Sequence, residues 1–300
     1  MVIRKCDFPL QVDDQGRELE AHGTAPFPIS CYEEDLSREA VIWHWHEDWE
    51  IILAVEGTVV VSSYGEQYRL AAGQGLFLNA GIPHALRGEG SGPAVIHSAV
   101  FHPRLLGSSD SIFWQRYIRP VMENRNCRCV LLDGSQPWHR AMMDAAEQAW
   151  QAADEEAVCY EFAVRESLST VAQLLYRHYP AGGRAVPGRE RRELERIKIM
   201  LAFIREHYGE KLTLERIAES AAVSESECLR CFRKTIGTTP IRYLTQFRVQ
   251  RGADLLLSTD RKIVDIALDC GFGDASYFIR QFRLLKGVTP SEYRELQKDA

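Results

Sequence analysis

The sequence lacks the features that would take a protein to or across a membrane. It contains no uninterrupted run of about 18 apolar residues, which is the length that a membrane-spanning helix needs. Its first residues, MVIRKCDFPLQVDDQGRELE, lack the apolar stretch of a signal peptide. We therefore expect a cytoplasmic protein with no membrane partner.

The sequence also lacks the cysteine patterns of disulfide frameworks and structural zinc sites. Eight cysteines are scattered over 300 residues, and a chain without an export signal is expected to keep them as free thiols. The close pairs, Cys127 with Cys129 and Cys228 with Cys231, have no second pair at the spacing of a zinc ribbon. We therefore expect no metal held by cysteine.

The net charge of -6 is divided unevenly along the chain. Residues 1–180 carry 14 Lys and Arg against 25 Asp and Glu, whereas residues 181–300 carry 22 against 17. A polyanion is therefore attracted to the C-terminal part and repelled by the rest. The C-terminal excess is small, so charge alone does not establish a nucleic-acid partner.

Short strands are predicted for residues 26–101. Apolar and polar residues alternate there, as they do in strands with one buried face. Glycines that can form turns recur every seven or eight residues, at Gly57, Gly65, Gly73, Gly81 and Gly88. This spacing is typical of a compact antiparallel barrel or sandwich. We assign residues 1–110 to such a domain.

Residues 111–180 have a helical pattern instead, with apolar residues at steps of three and four. Leu168, Val171, Leu174 and Leu175 fall on one face of a predicted helix. Two roles fit this face: packing against the N-terminal domain, or forming the interface of a homodimer. We assign the segment to dimerisation or to relay between domains.

The rest of the chain contains an internal repeat. Residues 181–192, AGGRAVPGRERR, have no apolar face and predict a linker to a helical domain at 193–300. The two copies begin at Ile217 and Ile266, and their aligned positions lie 49 or 50 residues apart. Each copy predicts a short helix, a turn and a second helix, which is a helix-turn-helix. One copy would also fit a plain helical bundle, but two copies fit successive major-groove turns of DNA.

In each copy, a set of apolar residues is predicted to form the contact between the two helices of the helix-turn-helix. They are Ile217, Ala221, Val223, Cys228 and Phe232 in the first copy, and Ile266, Cys270, Phe272, Phe278 and Phe282 in the second. The opposite face of the second helix then stays free to enter a major groove.

The second copy carries a motif that resembles the AraC/XylS family of bacterial transcription regulators. The matching residues are Ile266, Ala267, Cys270, Gly271, Phe272, Ser276, Tyr277, Phe278, Arg280, Phe282, Arg283, Gly287, Thr289 and Pro290. The resemblance implies two helix-turn-helix units joined by a linking helix. It also implies that the third and sixth helices of the domain read double-stranded promoter DNA.

Carried over position by position, the resemblance implies DNA contacts from both units. The base-reading candidates are Ser226, Leu229, Arg230, Ala275, Ser276 and Arg280. Arg233 and Arg283 follow one helical turn later and suit contact with phosphate. Leu229 offers no hydrogen bond, so we expect the first unit to contribute shape and methyl contacts.

The N-terminal domain has a histidine and glutamate pattern that resembles the cupin fold: His44, His46 and Glu50, followed by His84. Cupin enzymes hold Fe, Mn, Ni or Zn with this set. The sensor domains of the AraC/XylS family resemble the same barrel, and they often keep part of this set as pocket residues without a metal.

We therefore predict a pocket for a small-molecule effector, formed by these four residues together with Trp43. A divalent metal held by the same His and Glu residues is the alternative, and no cofactor is expected to be required. The sequence also departs from the cupin motif, because Arg38 stands where a Gly is expected and Asn79 where Pro is usual.

These patterns predict an α+β multidomain protein. A cupin-like antiparallel β-barrel with following helices precedes an all-α domain of two helix-turn-helix units. The expected function is sequence-specific DNA binding in transcription regulation, controlled by an effector in the barrel, without enzyme activity. The alternative is a metal-dependent cupin enzyme with an attached helical domain. The expected partners are promoter DNA, the effector, a second copy of the chain and RNA polymerase.

Overall fold

The chain forms two compact units that divide between Arg192 and Glu193. The computed structural model describes residues 3–4, 17–18, 21–37, 40–180 and 188–296. No helix among the described residues is long and apolar enough to cross a membrane. The cysteines in the described part of the chain are free thiols.

Within the described residues, the N-terminal unit has ten strands. They are β1 (Ile3–Arg4), β2 (Ile29–Asp35), β3 (Val41–His44), β4 (Trp49–Glu56), β5 (Thr58–Ser63), β6 (Glu66–Ala71), β7 (Gly75–Leu78), β8 (His84–Glu89), β9 (Val95–Phe101) and β10 (Cys129–Leu132). A six-stranded sheet has the order β1-β2-β9-β4-β7-β10, and a four-stranded sheet has the order β3-β8-β5-β6. All neighbours are antiparallel except β1 and β2.

The predicted antiparallel β-domain is confirmed by this arrangement. Side chains from both sheets form one apolar cluster, which includes Ile52, Val59, Val61, Leu76 and Leu78. The predicted turn at Gly57 has a φ of +71°, and a Cβ there would lie 2.0 Å from the carbonyl oxygen of Pro93. Only glycine fits this turn without strain.

The segment after β9 is not wholly helical, contrary to the prediction. A π-helical turn (Trp114–Ile118), α1 (Arg119–Met122), α2 (Pro137–Glu155) and α3 (Tyr160–His178) are helical, but β10 lies between α1 and α2. β10 extends the six-stranded sheet beside β7. Its apolar residues alternate in burial, because Val130 and Leu132 face the core while Leu131 is exposed.

The apolar face of α3 packs inside its own chain. Leu168, Val171 and Leu175 are fully buried, in one cluster with Trp49 and Ile51 of the six-stranded sheet. Of the two roles expected for this face, packing against the β-domain is therefore the one observed. These three side chains fill the chain's own core and offer no surface to a second copy, so dimerisation of the segment stays a prediction.

The C-terminal unit is helical. Its helices are α4 (Gly188–His207), α5 (Leu214–Ser220), α6 (Glu225–Thr235), α7 (Pro240–Ser258), α8 (Ile263–Asp269), α9 (Ala275–Lys286) and α10 (Pro290–Leu296). Thr213, Ser224 and Thr239 cap α5, α6 and α7, each accepting the backbone N–H of the third residue on. Residues 181–187 of the predicted linker lie outside the described residues, and α4 begins within its remaining part.

Eight of the ten residues predicted to join the two helices of each repeat are buried, and Ala221 and Val223 are half-buried. In the second unit, Cys270, Phe278 and Phe282 are fully buried and Phe272 is nearly so. They form a cluster with residues of α7, the linking helix. Each unit therefore rests on its own apolar contact and leaves one face of α6 or α9 outside that contact.

Candidate functional sites

The predicted His and Glu residues of the β-domain come together in one buried cluster. His44, at the end of β3, pairs across the sheet with His84, at the start of β8. Glu50 comes from β4, and His46 from the turn before it. All four residues are at most 6% exposed.

Backbone carbonyls orient the three histidine rings. Nδ1 of His44 donates to the Ile42 carbonyl at 2.9 Å, and Nδ1 of His84 donates to the Ile82 carbonyl at 2.8 Å. Nδ1 of His46 donates to the Asp48 carbonyl at 3.1 Å. A carbonyl only accepts, so each Nδ1 carries a proton; Nε2 then has a lone pair when the ring is neutral and a second proton when the ring is charged.

The cluster has the donors of a metal site. His44, His46 and His84 each offer a ligand nitrogen, and these atoms lie within 4.8 Å of one another. Imidazoles whose Nδ1 is held by a carbonyl are the arrangement found around protein-bound metals, because the second hydrogen bond fixes tautomer and orientation. Imidazole nitrogen together with carboxylate oxygen suits Mn, Fe, Ni or Zn. The residues present therefore fit a divalent cation.

Glu50 supplies the negative charge of the cluster. Its Oε2 lies 3.0 Å from Nε2 of His84 and 3.3 Å from Nε2 of His46. Its Oε1 accepts the Ser98 hydroxyl at 2.7 Å. Burial alone would raise the pKa of Glu50, but the hydrogen bonds from His46 and His84 hold it well below its usual value.

The pKa values of His44 and His84 shift in opposite directions. Burial, followed by the nearby charge of His84, lowers the pKa of His44 to about 3. His44 is therefore neutral near pH 7. Burial alone would lower the pKa of His84, but its hydrogen bond and charge interaction with Glu50 raise it.

Two residues of this site were missed by the sequence analysis. Oε2 of Glu18 lies 3.8 Å from Nε2 of His44, and Oε1 of Glu18 lies 3.4 Å from Nε2 of His22. Nδ1 of His22 also contacts Asp48 at 2.9 Å. Burial alone would lower the pKa of His22, but hydrogen bonds to Asp48 and Glu18 raise it to about 9. The sequence signal that could have revealed these two residues is the presence of a histidine and a carboxylate in the segment before the first predicted strand.

The cavity at this cluster is small. Its volume is about 30 Å³, and its lining includes Glu18, His22, His44, His46 and Glu50. A cavity of about 10–15 Å³ holds one water, whereas pockets for organic ligands span about 300–1,000 Å³. Of the predicted pocket residues, Trp43 and His84 do not line this cavity. The space therefore suits an ion or a water rather than an organic effector.

On α6, the predicted DNA-contacting residues differ in exposure. Ser226 and Arg233 are exposed, whereas Leu229 and Arg230 are half-buried. Arg230 is held by carboxylates, because its guanidinium lies 2.6 Å from Glu227 and 2.8 Å from Glu193. The guanidinium is therefore fixed by its own chain.

On α9, the corresponding face is more open. Ser276, Arg280 and Arg283 are exposed, and Ala275 is half-buried. Asp274 caps the helix by accepting the Ser276 backbone N–H at 3.0 Å. The Arg280 guanidinium lies 5.2 Å from the centre of the Tyr277 ring. Among the described residues, no carboxylate pairs with Arg280.

Comparisons with known proteins match both units. The model of the AraC-like ligand binding domain matches residues 26–168, and that of a helix-turn-helix domain matches residues 217–296. The uncharacterized HTH-type transcriptional regulator YdeC of Bacillus subtilis (strain 168) is 28% identical over 291 residues, covering 95% of this chain and 98% of YdeC. The HTH-type transcriptional activator RhaS of Enterobacter sp. (strain 638) is 25% identical, covering 91% and 93%.

A solved structure resembles the C-terminal unit. It is a transcriptional regulator with an AraC-type DNA-binding domain from Chromobacterium violaceum, and it is 30% identical. The match covers 34% of this chain and 90% of that one, with a TM-score of 0.33.

Proposed function

The chain belongs to the AraC family of DNA-binding transcription regulators, and from this premise we propose that a ligand in the β-domain sets its affinity for promoter DNA. The family models account for a ligand-binding domain and a helix-turn-helix domain in one chain. A ligand can shift DNA affinity only by its different affinity for the DNA-competent and incompetent states. The cytoplasm is the proposed location for this action on DNA, and RNA polymerase is a further proposed partner.

The ligand that the geometry supports best is a divalent cation. The observation that carries this proposal is the convergence of three imidazole nitrogens, from His44, His46 and His84, within 4.8 Å. The cavity of about 30 Å³ has room for such an ion. The organic effector predicted from the sequence would have to displace several buried side chains to enter it.

The residues of the chain have separate roles in this proposal. His44, His46 and His84 would hold the ion, with Glu50 as the anionic ligand. Ser98 and the backbone carbonyls keep these ligands oriented. A bound divalent ion would supply positive charge. Its ligands would link strands β3, β4 and β8 at one point. Because these strands belong to both sheets, binding would change the stability of the whole β-domain.

The test compares metal content with DNA affinity in the full-length protein. After chelation, the protein is reloaded with Mn, Fe, Ni or Zn and analysed for stoichiometric metal. Duplexes selected from a random-sequence pool then report DNA affinity with and without the ion. We expect one ion per chain and a change in DNA affinity, both lost in His84→Gln. His178→Gln, an exposed histidine outside the cluster, should retain both.

Other results would identify other functions. An organic compound that co-purifies in place of metal would support the effector predicted from the sequence. Metal-dependent turnover without any effect on DNA affinity would support the cupin-enzyme alternative. Wild-type protein that selects no sequence from the pool would contradict the proposed regulation of a promoter.

We also propose that the chain acts as a homodimer, through a face other than the one expected from the sequence. A groove of about 610 Å³ lies along α3 and the π-helical turn, and its lining includes Tyr117 and Tyr176. Phe113 and Phe162 at this groove are 54% and 74% exposed. Exposed aromatic side chains around a groove are typical of protein interfaces. Phe162→Glu should give a monomer in sedimentation equilibrium, whereas Gln173→Glu, also at the groove, should have a smaller effect.

A further inference from the structure

A nearly buried carboxylate holds two cationic side chains of α6. Glu193 lies in α4, and its side chain is only 6% exposed. Its Oε1 accepts a hydrogen bond from Arg230 at 2.8 Å, and its Oε2 accepts one from Lys234 at 2.5 Å. Arg230 and Lys234 are one helical turn apart, so a single carboxylate neutralises one flank of α6.

A second carboxylate completes the arrangement. Glu227 accepts two hydrogen bonds from Arg230, from Nε at 2.9 Å and from Nη2 at 2.6 Å. It also accepts one from Arg196 of α4 at 3.2 Å. A guanidinium held in this bidentate way by one carboxylate and from the side by another has little rotational freedom.

The two helix-turn-helix units therefore differ in their available charge. In α6, Arg230 and Lys234 are matched by Glu193 and Glu227. In α9, Arg280 has no carboxylate partner among the described residues. A DNA phosphate that approaches Arg230 or Lys234 must compete with carboxylates that are already in contact.

We propose that Glu193 is a specificity-determining residue, which keeps Arg230 and Lys234 from binding DNA phosphates of any sequence. The inference rests on the proposed function, in which α6 faces DNA. Electrostatic attraction to phosphate supplies most non-specific binding. A carboxylate that neutralises two cations of the first unit lowers non-specific affinity, and it leaves Arg230 oriented for contact with particular bases.

The variant Glu193→Gln tests this role. Its cationic partners are 37% and 47% exposed, so the change leaves no buried unpaired charge and the unit is expected to fold. Each additional phosphate contact steepens the dependence of log affinity on log salt by about 0.9. One or two freed cations should therefore cause an additional loss of affinity of about 3- to 12-fold per fourfold increase in salt.

The probes are a mixed-sequence duplex and a duplex selected by the wild-type protein. Glu193→Gln should bind the mixed-sequence duplex more tightly at low salt and lose part of its preference for the selected one. Glu195→Gln is the matched control, because Glu195 is an exposed carboxylate on the same helix and makes the same change in net charge. It should leave the preference and the salt dependence close to those of the wild type.

A double-mutant cycle separates this role from a general effect of charge. If Glu193 acts through its partners, Glu193→Gln should change the salt dependence little when Arg230 and Lys234 are both replaced by Gln. Equal effects in both backgrounds, or equal effects of Glu193→Gln and Glu195→Gln, would overturn the inference. Wild-type protein without salt-dependent DNA binding would instead contradict the proposed function itself.

Discussion

The indole N–H of Trp49 donates to the side-chain oxygen of Asn79 at 2.8 Å, inside the N-terminal unit. The amide nitrogen of Asn79 in turn donates to the carbonyls of Val121 at 2.9 Å and Cys127 at 3.0 Å. Asn79 thus joins the six-stranded sheet to the turn after α1. The departure from the cupin motif at this position has a structural purpose, because proline could make none of these side-chain bonds.

Asn79→Ala should destabilise the N-terminal unit by about 2–3 kcal/mol, because it leaves the buried Trp49 N–H without its partner and removes the side-chain bonds to the Val121 and Cys127 carbonyls. Urea unfolding followed by tryptophan fluorescence measures the loss. Gln67→Ala, at an exposed position of β6, serves as the control and should change the unfolding free energy by less than about 0.5 kcal/mol. Equal stability of the two variants would show that the Asn79 bonds contribute little.

A glycine in the linking helix lets the second helix-turn-helix unit approach closely. A Cβ at Gly252 of α7 would lie 2.7 and 2.8 Å from two ring carbons of Phe278. Helix propensity alone favours alanine by about 1 kcal/mol. Phe278 is fully buried and cannot withdraw, so we expect overpacking to prevail and Gly252→Ala to destabilise the unit by about 1–3 kcal/mol.

Thermal unfolding of Gly252→Ala, alone and combined with Phe278→Leu, checks this expectation. The smaller side chain removes the clash, so the loss in the double variant should be less than the sum of the two single losses. A Gly252→Ala protein more stable than the wild type would show that the contact is not restrictive.

Local sequence signals predicted the secondary structure where they were strong. Thr213 and Ser224, residue types that favour N-caps, do cap α5 and α6, and Pro240 stands at the first position of α7. β10 was missed because four residues are too few to show alternation between helical segments. The role of the apolar face of α3 could not be decided from the sequence either, because the same pattern suits a buried core and a dimer interface.

Contacts between residues that are far apart in the sequence could not be predicted from it. Glu18 reaches the histidine cluster because its backbone N–H donates to the Trp45 carbonyl at 2.9 Å, next to an isolated bridge between Arg17 and Trp45. Glu193 meets Arg230 from a helix that precedes the repeat. Neither contact leaves a periodic signal in the sequence, whereas His44, His46 and Glu50 lie close enough along the chain to form a recognisable motif.

Replacing Arg280 or Arg283 of α9 by alanine should affect DNA binding in different ways. Arg280→Ala should cost about 1–3 kcal/mol on a selected duplex and relax the base preference at one position, if the side chain reads a base. Arg283→Ala should weaken binding to all sequences and reduce the salt slope by about 1, as expected of a phosphate contact. Arg87→Ala, at an exposed position of β8 in the β-domain, should change neither quantity. Equal losses on all sequences for both variants would contradict base reading by Arg280.

The stability of the C-terminal unit should depend on acid pH through Glu193. Burial alone would raise the pKa of this carboxyl, but hydrogen bonds from Lys234 and Arg230 lower it from 4.5 to about 2. A lowered folded-state pKa contributes stability that is complete above the unfolded value, and this contribution disappears as pH falls from 4.5 to about 2.

The difference in unfolding free energy between the wild type and Glu193→Gln isolates this contribution, because the other carboxyls titrate in both proteins. We expect the wild type to be the more stable at about pH 6, with the difference shrinking steadily towards about pH 2. The corresponding difference for Glu195→Gln should stay nearly constant. A Glu193→Gln difference that is equally constant would mean that the carboxylate gains no net stability from Arg230 and Lys234, since desolvating a buried charge can offset its ion pairs.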